Sequence, residues 1–194
     1  MLYETLKQLT DFLNQSLKAG SNSVEPLLEW GNIAQLETLS QGANTLEDRI
    51  VLSLLNLEEE KTLSNGRNFT ENGPKIQYHN PPWHLNLYLL FSMRFEDYDK
   101  AIRNLSLLLQ FFQRNQVLTN TNVPALPAGV DRLAFELISL NFEQFNQMWA
   151  VLGGKQYPFL LFKVRLISIR QLPVEEAPLI RQIISNEDNV VNAS

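Results

Sequence analysis

The stretch WHLNLYLLFSMRF, residues 83–95, constrains this chain more than any other. Trp83, Leu85, Leu87, Leu89 and Phe91 alternate with His84, Asn86, Tyr88, Leu90 and Ser92. A period of two sustained over that length predicts a long β-strand. Pro81 and Pro82 stand immediately before it, where a strand tolerates proline. Bulky residues fall on both sides of the alternation, so the strand is expected at the centre of a sheet.

The rest of the chain supplies elements to pack around it. Leu2, Leu6, Leu9, Phe12, Leu13 and Leu17 recur at helical spacing, and Gly20 follows as a C-cap would, so residues 2–18 predict a helix. A short strand is expected near Leu27–Ile33. Residues 47–58 predict a firmer one. Ile50, Leu52 and Leu54 point one way, while Val51, Leu55 and Leu57 break the alternation, as in a strand covered on both faces. Residues 96–114 predict the main helix, with Tyr98, Ala101, Ile102, Leu105, Leu108, Leu109 and Phe112 on one stripe. Its acidic start and Arg114 at its end suit the helix dipole.

A connector rich in turn residues, 120–130, leads to a strand at 132–140 with Leu133, Phe135 and Leu137 on one face. A helix follows from residue 141, with Phe142, Phe145, Met148, Trp149 and Leu152 inward and Gly153 and Gly154 closing it. The last strand is 158–169. Leu160, Phe162, Val164 and Leu166 face the core, with Lys163 and Arg165 opposite. This order implies an α+β fold, a mixed and mainly antiparallel sheet flanked by helices. Residues 1–170 form the domain and 171–194 a C-terminal extension.

The 194 residues suffice for one sizeable core. A formal net charge of −5 and scattered basic residues argue against a nucleic-acid partner. The absence of cysteine excludes disulfides, thiol catalysis and cysteine zinc sites, and fits a cytosolic chain. Glu4 and Asp11 interrupt the first twenty residues, which read neither as a signal peptide nor as a membrane span.

Catalytic signals are thin. There is no GxSxG, phosphate loop, GxGxxG or HExxH. His84 and His79, with a third ligand from Glu58, Glu59 or Glu60, match no metal-ligand spacing. The acidic run 58–60 reads as the solvated end of a strand rather than as paired catalytic carboxylates. No cofactor, metal site or enzymatic activity is therefore expected. The competing expectation is a small ligand- or metal-binding domain with His84 and the acidic run at one pocket.

Two segments stand out as contact elements instead. Residues 61–80 are polar and hold Asn-Gly pairs at 65–66 and 72–73, the strongest short hairpin signal because both turn positions require positive φ. A long loop or hairpin of this kind is commonly functional. The tail begins with Pro173 and Pro178 and carries Leu179, Ile180, Ile183 and Ile184, which are poorly solvated alone. It is expected to fold back or to dock on a neighbour, strand addition being one route. The candidate interface residues are Asn65, Arg67, Phe69, Lys75 and Tyr78 in the loop and the four apolar residues of the tail. Lys163 and Arg165 join them, to contact an acidic partner or to pair internally with Glu136 and Glu143.

The succession SLLNLEEE, PPWHLNLYLLF with the following FFQRN helix, and MWAVLGGKQYPFLLFKVRL resembles the cap, or tail-terminator, family of phage-tail-like contractile injection systems. Its shared domain was long catalogued as a domain of unknown function. The resemblance spans residues 5–170. It departs at Trp83, where the family often has a small or aliphatic residue, and at Phe159, where it has serine. The resemblance implies a tail-terminator-like fold and a ring, a homo-hexamer, at the end of the particle distant from the baseplate. Such a ring would end the inner tube and outer sheath and hold them together. Assembly in the cytoplasm as part of a released or anchored particle, and no catalytic residues, are implied with it. A baseplate or spike adaptor of the same particle is the alternative placement.

Overall fold

The computed structural model describes residues 2–18, 27–35, 48–60, 69–72, 75–78, 83–123, 126–127, 130–169 and 175–178. In chain order its elements are α1 (Leu2–Lys18), β1 (Leu28–Trp30), a 3-10 turn (Ile33–Gln35), β2 (Arg49–Glu59), β3 (Phe69–Asn72), β4 (Lys75–Tyr78), β5 (Trp83–Arg94), α2 (Tyr98–Arg114), β6 (Val117–Thr119), β7 (Arg132–Leu137), α3 (Phe142–Val151), β8 (Phe159–Ile169) and β9 (Glu175–Pro178). A six-stranded sheet runs β1-β2-β5-β8-β7-β6, and a three-stranded one runs β3-β4-β9. Among the described strands β1–β2 is parallel and the other pairings are antiparallel. The expected α+β architecture and the helix over residues 2–18 are both present.

The strand at 83–94 is central, as its two-sided alternation requires. It pairs with β2 on one side and β8 on the other. Leu85, Leu87, Leu89, Phe91 and Met93 are buried on one face, and Asn86, Leu90 and Ser92 on the other. The first face is covered by α1 and α2. Leu6, Leu9, Leu13 and Leu17 of α1 pack there with Ala101, Leu108 and Phe112 of α2. Phe112 is the hub, with ring centroids 4.5 Å from Phe162, 4.6 Å from Phe135 and 5.5 Å from Phe91.

The opposite face has a smaller core: Val51, Leu90 and Leu161 under Trp149 of α3 and Ile33 of the 3-10 turn. A capping box starts α3, Asn141 with Gln144. Gly153, at φ +100°, ends it, and the Gly154 N–H donates to the Trp149 carbonyl at 2.7 Å, closing a Schellman turn. Among the described residues no helix is long and apolar enough to cross a membrane.

One side chain decides where β1 sits. The Asn14 amide donates to the Leu28 carbonyl at 2.6 Å, and its oxygen accepts from the Leu28 N–H at 2.8 Å. An α1 side chain thus satisfies the backbone of a very short strand. Asn14→Ala strips both partners from part-buried backbone groups and is expected to cost about 1–3 kcal/mol, measured as a fall in the urea unfolding midpoint. An unchanged midpoint would mean that water replaces the amide without loss.

Several sequence expectations are corrected. The strand expected near Leu27–Ile33 stops at Trp30. There the Ser53 hydroxyl donates to the Gly31 carbonyl at 2.6 Å and accepts from the Ile33 N–H at 3.2 Å, turning the chain into the 3-10 turn. Leu54 and Leu57 are 40% and 41% exposed, because β1 pairs only with Ile50–Leu52 of β2. Tyr98 and Ile102 lie outside the buried stripe of α2, whose rotation is set by Phe112. Phe142 is 88% exposed, since the first turn of α3 is fastened by its own capping box rather than by the sheet. Leu137 is 48% exposed, because β6 pairs only with Arg132–Ala134. That three-residue β6, just before the connector, went unread as a strand. Gly20, Pro81 and Pro82 lie outside the described residues.

Candidate interaction surfaces

The sheet face that α3 covers at one end is polar at the other, where Glu58, Glu136 and Arg165 are exposed and Asn86 is buried. Cross-strand partners define two polar rows there. One is Asn56–Tyr88–Lys163–Glu136; the next is Glu58–Asn86–Arg165–Ala134. Adjacent partners share a face, so these side chains meet. The Tyr88 hydroxyl donates to Glu58 at 2.7 Å, and the Asn86 amide to Glu60 at 3.1 Å. The hydrogen bond to Glu58, then partial burial, then the negative charges of Glu58, Glu136 and Glu60 hold the Tyr88 phenol above its ordinary pKa.

The two cations of β8 part ways. Arg165 reaches Glu136 at 3.1 Å, one of the two internal partners expected for it. The other, Glu143, instead accepts from Gln147 at 3.3 Å. Lys163 forms no ion pair among the described residues. With both members of the Arg165–Glu136 pair more than half exposed, solvent screens it. Glu136→Gln is expected to change stability by less than about 1 kcal/mol, read from urea unfolding; a larger loss would show the pair to be part of a tighter network.

His84 is half-buried, its carbonyl accepts from the Glu60 N–H at 2.7 Å, and its Nδ1 is buried without a hydrogen-bond partner. Among the described residues no three metal-ligating side chains converge. Two open clefts, of about 650 and 520 Å³, are lined elsewhere. The structure therefore does not bring His84 and the acidic run 58–60 to either of them.

The small sheet joins the two contact segments named from sequence. β3 and β4 form a hairpin with Phe69 opposite Tyr78 and Asn72 opposite Lys75. A hairpin is present where Asn72-Gly73 pointed, but Asn72 is the last paired residue of β3 rather than a turn position, and Gly73 lies outside the described residues, as do Asn65 and Gly66. β9, from the tail, pairs with β4, placing Glu175 opposite Tyr78 and Pro178 opposite Lys75. Residues 175–178 of the tail thus lie alongside the hairpin. Of the candidates, Phe69, Lys75 and Tyr78 are on this sheet, while Asn65, Arg67, Leu179, Ile180, Ile183 and Ile184 lie outside the described residues.

Sequence reading missed the two edges of the large sheet. At one, Leu54 and Leu57 are exposed beside Trp30, which is tilted against Tyr3 at 5.5 Å. At the other, Val117 and Leu137 are exposed. The one available signal was the broken alternation after Leu54, which the structure resolves as a bulge between Leu54 and Asn56.

Residues 4–182 match the family model described as the Pvc16 N-terminal domain. No functionally curated protein matches the chain. Among solved structures it is similar to the PVC sheath/tube terminator of an extracellular contractile injection system, in its extended state. The TM-score is 0.62 at 13% identity, over 98% of this chain and 65% of that one. It is also similar to the tube-terminating cap of the anti-feeding prophage, with a TM-score of 0.60 at 16% identity, over 91% of this chain and 59% of that one. The chain thus spans about three-fifths of the length of the solved proteins it matches.

Proposed function

The chain belongs to the Pvc16 N-terminal domain family, and on that premise we propose that it is a structural cap of a contractile injection system. In this role copies of the chain form a ring, six in number, at the end of the particle distant from the baseplate. The ring ends the inner tube and the outer sheath and holds the two together. The chain performs no covalent chemistry; its work is binding and exclusion. It is assembled in the cytoplasm and carried as part of the particle.

The observation that carries this role is the fold likeness to a sheath/tube terminator over 98% of this chain. Family membership over residues 4–182 supports it independently of the coordinates. The small sheet supplies a candidate contact element, with Phe69, Lys75 and Tyr78 at register positions on its hairpin and β9 paired alongside. Lys163 adds a cation with no ion pair among the described residues, on the polar part of the sheet face. These are the proposed contacts with tube and sheath.

Deleting the gene is expected to give tubes of uncontrolled length or to abolish sheathed particles, seen by negative-stain electron microscopy. Particles of normal, uniform length in its absence would remove the cap role. A labelled copy should mark the end opposite the baseplate; a label at the baseplate would point to an adaptor instead.

A further inference from the structure

One cross-strand row of the large sheet is apolar from edge to edge: Leu54–Leu89–Phe162–Leu137. Its middle members are buried, Leu89 at 0% and Phe162 at 3% exposure. Its ends are open, Leu54 at 40% and Leu137 at 48%. Each end lies just past a short edge strand that fails to cover it, β1 on one side and β6 on the other. On the same face Trp30, opposite Leu52, and Leu57, opposite Leu87, accompany Leu54; Val117, opposite Ala134, lies on the other face of the far edge, so Leu137 is the exposed apolar end there. Open apolar sheet edges are a liability that an isolated chain would be expected to blunt.

From these features we infer that the two edges meet between copies, the β1–β2 edge of one chain receiving the β6–β7 edge of the next. The inference rests on the ring proposed above and names its interface. Leu54 of one copy and Leu137 of its neighbour continue the apolar row across the contact. Edges at opposite sides of one sheet make a heterologous contact, the kind that propagates around a ring.

Charge selects this pairing over its alternatives. The β2 edge ends in exposed Glu58 and Glu59. The opposite edge carries exposed Arg132 on β7, with Arg114 at the end of α2 just before β6, and neither forms an ion pair among the described residues; of the acidic residues there, Glu136 is already paired with Arg165 and Asp131 precedes Arg132. Two β2 edges brought together would repel, whereas unlike edges attract. The bulge after Leu54 interrupts a regular backbone ladder, so the contact is made by side chains rather than by one long continuous sheet. A foreign partner would account for one edge only; a second copy accounts for both.

The chain has no cysteine, so introduced thiols report cleanly. The test is oxidative cross-linking of assembled particles carrying Leu54→Cys, Leu137→Cys, or both. The double variant is expected to give a ladder of linked multimers. Each single variant should give none, and a mixture of the two singles should stop at dimers. No ladder overturns the edge contact. Linkage of Leu54→Cys to itself overturns the head-to-tail geometry. Linkage of Leu54→Cys to Ile183→Cys with no ladder from the double variant assigns the edge to the tail and overturns it too. Particle length and label position report on the cap role separately, so the failure of one idea is not mistaken for failure of the other.

Discussion

Replacing Phe112 with alanine is expected to destabilise the protein by about 3–5 kcal/mol, the usual range for truncating a buried phenylalanine. Its ring is 3% exposed and contacts Phe91 of β5, Phe135 of β7 and Phe162 of β8, with Phe111 beside it on α2. It therefore ties α2 to three strands at once, and no single neighbour can relax into the space. A domain of this size is stable by only about 5–15 kcal/mol, so the loss would remove a large share of its stability. Urea unfolding followed by circular dichroism measures it. A loss below about 1 kcal/mol would show that the aromatic cluster repacks freely.

Trp149→Ala should remove a comparable amount, about 3–5 kcal/mol, with a different consequence. Trp149 is the buried anchor of α3, against Tyr157 and Phe159, over Val51, Leu90 and Leu161. The core on that face is small, and Phe142 and Val151 at the two ends of α3 are already 88% and 84% exposed. The helix is expected to detach while the opposite core holds. Hydrogen exchange should then show residues 142–151 losing protection and residues 85–93 keeping it. Equal loss in both would show that the two cores unfold as one unit.

These cases also show which residues sequence could place. Leu6, Leu9, Leu13 and Leu17 lie on the buried face of α1, and Leu85, Leu87, Leu89 and Phe91 are inward on β5. Both follow from periodicities of the backbone itself, 3.6 and 2 residues. The closing glycines of α3 follow from local backbone geometry in the same way. Arg165 shows the limit. Its outward face was legible, but the choice of Glu136 over Glu143 required the register that sets β7 beside β8.

The proposed contact surfaces divide along the same line. The hairpin was legible from Asn72-Gly73, because turn chemistry is local. Its pairing with β9 was not, because residues 75–78 and 175–178 meet across a hundred positions of chain. By itself the sequence determined the helices, the central strand, the family and the apolar sides of α1 and β5. Only the tertiary structure decided which apolar residues remain uncovered. Leu54 and Leu137 have the pattern of core residues, yet they are exposed because β1 and β6 are too short to reach them. Burial depends on the length of a neighbour that lies elsewhere in the chain, and no local period encodes that.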